Sequence, residues 1–184
     1  MNLSKKILTE LINKKYIEED KYNFYDYGMK VLIMNLLPIL LVLTISIIVD
    51  DITYGIVFLL SFTPIRINLG GYHCSCVKKC LISFVMLFII TLFMRKLDIH
   101  ILIKIVGFIA IVIFWFVTPL TNDFLGNYKE IYTKSKQHIK TVCVILFFIL
   151  HFINNHSVIE GISMACILNV FLYFLGSLKK KKLI

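Results

Sequence analysis

The sequence predicts an all-α, polytopic integral membrane protein with about six transmembrane helices, some short or re-entrant, preceded by an N-terminal amphipathic helix. Three observations predict it. The 184 residues are 59% hydrophobic with a mean hydropathy of +0.85, too apolar for a water-soluble domain. The apolar residues fall in six runs separated by short polar segments, and the longest of those runs are about as long as the hydrocarbon core is thick. The charge is +9, and the lysines cluster beside the apolar runs. Positive-inside topology and attraction to anionic lipid account for that placement, and nucleic acid is not expected as a partner. The length fits one domain over residues 1–184.

In residues 1–30, Leu3, Ile7, Leu8, Leu11 and Ile12 form a helical stripe with Lys5, Lys6, Lys14 and Lys15 on other faces. This reads as an amphipathic segment on the membrane surface, or as a helix packed on the protein or on a second subunit. Tyr16, Tyr22, Phe24, Tyr25 and Tyr27 follow, and such rings favour the headgroup level. These roughly thirty charged and aromatic residues do not have the short basic head of a cleavable signal peptide. Val31 to Val49 is the first span, ended by Asp50-Asp51. Ile52 to Ile65 is short, contains Gly55 and Pro64, and reads as a short or partly re-entrant span. Leu81 to Met94 is again short and closes at Arg95-Lys96.

Ile99 to Val117 is long enough to cross, with Lys104 placed to snorkel. Residues 118–141 read as a basic polar loop, and Val142 to Ile153 and Val158 to Gly176 as the last two runs before a lysine tail. Basic segments at both ends put both termini inside, so the number of crossings is even. Six crossings place 66–80 and 118–141 in the cytoplasm with the termini. Arg95-Lys96 is the exception, since six crossings put it outside; four spans with embedded half-helices is the competing layout.

The polar chemistry concentrates in residues 66–80, Arg-Ile-Asn-Leu-Gly-Gly-Tyr-His-Cys-Ser-Cys-Val-Lys-Lys-Cys. His73 is a base and Cys74, Cys76 and Cys80 are thiols. On an unbroken helix His73 and Cys80 are about 10 Å apart along the axis, too far for direct proton transfer. A working pair needs a fold-back, for which Gly70-Gly71 supplies the backbone freedom. At the N-terminus of a helix, with Lys78 and Lys79 beside it, Cys80 is placed for a thiolate to be favoured. Residue chemistry alone leaves Cys74 and Cys76 as rival nucleophiles. A zinc site built from the same loop fits poorly, because structural zinc sites use two cysteine knuckles and a Cys-Ser-Cys spacing is unusual. The reading assigns no metal and no cofactor. An odd count of five cysteines, three in one basic loop, does not suggest a disulfide framework.

The pattern Arg66, Gly71, His73, Cys80 resembles the core of the accessory gene regulator protein B family, membrane cysteine endopeptidases that process the precursor of a cyclic quorum-sensing peptide. The arginine lies seven residues before the histidine, the glycine two before it and the cysteine seven after it. Thr118-Pro119-Leu120-Thr121-Asn122 is a weaker echo, where the family often carries a proline followed by an asparagine. The family spacing is what selects Cys80 as nucleophile and His73 as base, in a cell-membrane, multi-pass enzyme with its motif toward the cytoplasm.

The resemblance further implies a small precursor peptide with an amphipathic leader and an acidic tail as partner, a thioester acyl-enzyme, cyclisation to a thiolactone or lactone, and a homodimer. Arg66 then binds a substrate carboxylate, holds the loop or anchors a helix end to lipid phosphate, and Gly71 provides backbone shape or close substrate approach. Asn68, Ser75 and Asn122 are conceivable orienters of His73. His100, His138, His151 and His156 default to structural roles, and Cys143 and Cys166 to packing between helices. Glu160, in an apolar run, is a candidate functional carboxylate or an interfacial one. The rival class is a non-enzymatic membrane transporter or partner-binding scaffold.

Overall fold

The computed structural model describes residues 9–12, 22–70, 77–97, 99–119 and 128–181, all of them helical or in short connections. Six helices follow a helical turn at 9–12: α1 (Tyr22–Ile48), α2 (Ile52–Leu69), α3 (Val77–Arg95), α4 (His100–Phe116), α5 (Tyr128–Phe152) and α6 (His156–Lys181). No strand occurs among the described residues. The chain divides into two compact units, 1–41 and 42–184. α2 and α6 are long and apolar enough to cross a membrane, and α4 is a shorter apolar helix.

Several boundaries differ from those the sequence suggests. α1 starts at Tyr22, so Tyr22, Phe24 and Tyr25 lie on the helix that continues into the first apolar run. α2 does not stop at Ile65 but runs through Arg66 to Leu69, with Pro64 inside it. The side chain of Asn68 donates to the Pro64 carbonyl at 2.8 Å and supports this last turn. The segment 118–141 is not a loop throughout, because α5 begins at Tyr128. No Gly or Pro interrupts residues 128–152, and Ile139, Cys143, Leu146 and Leu150 form one buried stripe of that helix.

The junction between α1 and α2 is two adjacent aspartates with different tasks. Asp50 takes φ 57°, and the Asp50 and Asp51 amides donate back to Ile47 and Ser46, a Schellman-type helix end. The Asp51 carboxylate then accepts from the Tyr54 amide at 3.0 Å and caps α2.

α6 is the packing axis of the second unit, in contact with α2, α3, α4 and α5. Its approach to α4 is close enough that a Cβ on Gly107 would lie 2.5 Å from the Ser163 Cβ. A Cβ on Gly55 would similarly meet the Ser46 Oγ at 2.0 Å. Small residues at helix crossings let backbones approach, as in membrane helix packing. Asn169, buried in α6, donates to the Phe62 carbonyl of α2 at 3.2 Å.

α2 and α3 are joined by an antiparallel aromatic ladder. Ring centroids of Phe62 and Phe84 are 5.1 Å apart, those of Phe58 and Phe88 5.1 Å, and those of Tyr54 and Phe88 5.9 Å. From Phe62–Phe84 to Phe58–Phe88 the contacts step back four residues on α2 and forward four on α3, one helical turn each, and Tyr54 packs on the same Phe88. This register extends beyond the rings at both ends, and it positions the two polar sites.

Candidate active site and a polar clasp at the opposite end

At one end, continuing the register from Phe62–Phe84 by one turn, stand Arg66 on α2 and Cys80 on α3. Cys80 is a free, half-buried thiol in the first turn of α3, where the amide dipoles present their positive end. Arg66 is half-buried in the last turn of α2, and its guanidinium is within electrostatic reach of Cys80. Arg66 Nη1 also donates to the Gly70 carbonyl at 3.0 Å, while the Gly70 amide donates back to the Arg66 carbonyl at 3.1 Å. Gly70 needs this freedom, since its φ is 74°. The guanidinium thus fixes the end of α2 at Gly70.

Gly71, His73, Cys74, Ser75 and Cys76 lie outside the described residues, as does Asn122. Of the weaker echo, Thr118 and Pro119 follow directly on α4. The Tyr173 hydroxyl donates to the Thr118 carbonyl at 3.0 Å. Tyr173 is one turn beyond Asn169, which bonds the Phe62 carbonyl, so the echo starts at the Arg66–Cys80 end of the bundle. Asn68 spends its side-chain amide on the Pro64 carbonyl. An apolar groove of roughly 490 Å³ opens between α2, α5 and α6, lined by Val57, Leu60, Pro64, Ile145 and Ile162 among others; Arg66 and Cys80 do not line it.

The other end of the ladder holds a set of charges that no local pattern in the sequence brings together. Arg95 Nη1 pairs with Asp51 Oδ2 at 2.8 Å, and Arg95 Nε with Glu160 Oε2. The guanidinium carbon sits 4.3 Å from the Tyr54 ring centroid, a cation–π contact. The Ser157 hydroxyl donates to Asp51 Oδ2 at 2.8 Å. His100 Nδ1 contacts Glu160 Oε1, and the His100 and His156 rings are 5.3 Å apart. Glu160 is 1% exposed, so its charge is held by these partners and not by water.

Burial acts to raise the Asp51 carboxyl, but the Tyr54 amide, the Ser157 hydroxyl and Arg95 outweigh it and hold the group below its ordinary range. Cys80 and Arg95 are fifteen residues apart on one helix, so the two ends are about 22 Å apart along it. Glu160 was visible in the sequence as a carboxylate in an apolar run, and Arg95 as a cation on the wrong side of a six-crossing layout. The structure joins them.

Residues 4–173 match the family model for accessory gene regulator B. The chain belongs to that family. The match covers most of the sequence, including Arg66, Gly71, His73 and Cys80, and membership connects the chain with processing of a quorum-sensing peptide. No curated protein and no solved structure matches.

Proposed function

We propose that this chain is a membrane cysteine endopeptidase that cleaves a small autoinducer propeptide near its C-terminal tail and closes the remainder into a ring. The observation that carries the reading is the family match across residues 4–173, which contains a free thiol, Cys80, on the first turn of α3 beside Arg66. His73 takes the Cys80 proton, and the sulfur attacks a backbone carbonyl of the bound precursor. The tetrahedral adduct collapses with loss of the C-terminal piece, whose new amine takes the proton back from His73. The product on the enzyme is a thioester. A cysteine or serine side chain of the bound peptide then attacks it, the ring closes as a thiolactone or lactone, and Cys80 leaves as the thiol.

The positive charge of Arg66 and the start of α3 surround the sulfur with a field that suits an anion. The proposed part of Gly71 is to allow a backbone shape or a close substrate approach that a side chain would block. No cofactor is required by these steps.

The membrane setting is supported by the distribution of side chains. Leu60, Ile67, Ile82, Phe93, Ile101 and Phe116 are each more than 60% exposed, whereas Glu160, Ser163, Asn169 and Thr91 are buried. Apolar outside and polar inside is the arrangement for lipid, and an aqueous protein exposing this much would aggregate. In this reading the whole of 1–184 acts as one membrane-embedded peptidase, multi-pass, with both termini and the Cys80 end toward the cytoplasm. Arg95, bonded to Asp51 and Glu160, is then no obstacle to six crossings, because its charge is neutralised where it stands. The substrate carries an amphipathic leader that lies on the bilayer and an acidic tail that suits the lysine-rich first half of α5, and two copies of the chain act together.

Co-expression with the small peptide encoded beside it, scored by mass spectrometry for a released tail and a cyclic product, tests the proposal. Loss of product in Cys80→Ser and His73→Ala at normal membrane levels, with Cys76→Ser active, is the expected result. Unchanged processing in Cys80→Ser would overturn the nucleophile, and no processing by the intact chain would favour a transporter or scaffold.

A further inference from the structure

The charge cluster at the Arg95 end contains more ligand chemistry than an ion pair needs. His156 and Glu160 are four residues apart on α6 and so share a face, while His100 is the first residue of α4. One ligand atom from each of the three lies within 4.8 Å of the others. An ion held at about 2.0–2.1 Å by nitrogen and oxygen needs those atoms roughly 3.3–3.5 Å apart. Two adjustments reach that spacing: the His100–Glu160 contact opens to admit the ion between the two atoms, and His156, which is exposed, swings in by side-chain rotation. The charges also leave room for a cation. Two carboxylates, Asp51 and Glu160, face one guanidinium, Arg95.

We propose that His100, His156 and Glu160 bind a divalent transition-metal ion, zinc being the best fit, on the face of the bundle opposite Cys80. Two imidazoles and one carboxylate select a borderline ion over calcium or magnesium, which take oxygen ligands. Three protein ligands leave a fourth position to water, and the exposed side of His156 is where that water has access. Arg95 holds the far oxygen of Glu160 and so fixes the carboxylate that the metal meets, as an outer ligand partner does. The ion ties the start of α4 to the start of α6, and through Arg95 to the end of α3. Its role is structural, about 22 Å along α3 from the thiol chemistry.

The test uses the full chain, free of any histidine tag, purified in detergent, stripped with chelator and titrated with zinc in a competition assay; cobalt then replaces zinc for spectroscopy. The rival is the loop of His73, Cys74, Cys76 and Cys80, so the combined Cys74→Ser, Cys76→Ser, Cys80→Ser variant is titrated in parallel. The site predicts one equivalent bound, a cobalt spectrum with d–d bands but no thiolate charge-transfer band, no change in the triple serine variant, and at least tenfold weaker binding in His156→Ala and in His100→Ala. His156→Ala alters an exposed side chain, so its helical circular dichroism should match the parent. Absence of binding, binding retained in His156→Ala, or a thiolate band lost with the three cysteines would each overturn the site.

Discussion

Arg95 pairs with Asp51 on the same antiparallel register that sets Arg66 across from Cys80 at the other end of α2 and α3. Four residue pairs obey that register, two polar ones at the ends and two aromatic rungs between. The α2–α3 pair is therefore a ruler: fixing one end fixes the other, provided the rungs hold.

Arg95 is the residue on which the lower clasp depends. Arg95→Met leaves Glu160 buried without its strongest partner, and breaking a buried pair in this way costs about 3–5 kcal/mol. Arg95→Lys keeps the charge but not the planar fork that reaches both carboxylates, so it should fall between parent and Arg95→Met. Thermal unfolding in detergent gives the order, and Arg95→Met with Glu160→Gln should be more stable than Arg95→Met alone.

Phe58 is fully buried and touches Tyr54, Phe62, Phe84 and Phe88. Phe58→Ala should cost roughly 3–5 kcal/mol. It should also lower peptide processing per folded molecule, although the residue is two turns from Arg66, because the register slackens. Phe58→Leu should restore most of both. Processing assayed against the quantity of folded protein separates the two effects.

The α4–α6 crossing has no room at Gly107, where an added Cβ meets the Ser163 side chain and its Cα at 2.9 Å. Gly107→Val should force the helices apart and lower stability by on the order of 1–3 kcal/mol, the usual range for overpacking. Ser163→Gly in the same chain should recover part of the loss. A double-mutant cycle by denaturation reads this as a coupling between the two sites.

Asp51 supplies the pH dependence of the clasp. Its folded value is depressed, so the stability it contributes is present above the unfolded value near 3.8 and is lost as pH falls through the lower, folded value. Asp51→Asn should therefore be less stable than the parent at pH 7, with the gap closing below about pH 4 as the parent's carboxylate is protonated. Melting temperatures of both chains across pH 3 to 8 would show the two curves converge.

The sequence made some of this legible and concealed the rest for physical reasons. α4 appears almost to the residue, since the apolar run between Asp98 and Pro119, broken only near its start by His100 and Lys104, is bounded by a charge on one side and a proline on the other. Cys80 was expected at a helix start because Leu81 onward is apolar; the observed helix begins one turn earlier, at Val77. α5 was hidden by its lysines, which read as a loop although the stripe Ile139, Cys143, Leu146, Leu150 has helical spacing. The clasp was hidden by distance along the chain: Asp51, Arg95 and Glu160 come from three helices, and only their separate oddities showed, a carboxylate among apolar residues and a cation on the unexpected side. Gly107 and Ser163 gave no signal beyond small size, because a close crossing is a property of two helices together.

The central claim is that Cys80 becomes acylated by the precursor. Purified protein incubated with a precursor whose ring-closing cysteine or serine is changed to alanine should stall at the thioester, since the side chain that resolves it is missing. Intact-mass spectrometry should then show a gain equal to the N-terminal part of the precursor, labile to hydroxylamine and mapping to Cys80 in a peptide digest. An adduct that persists in Cys80→Ser, or release of the tail with no adduct on Cys80 at any time, would contradict the account.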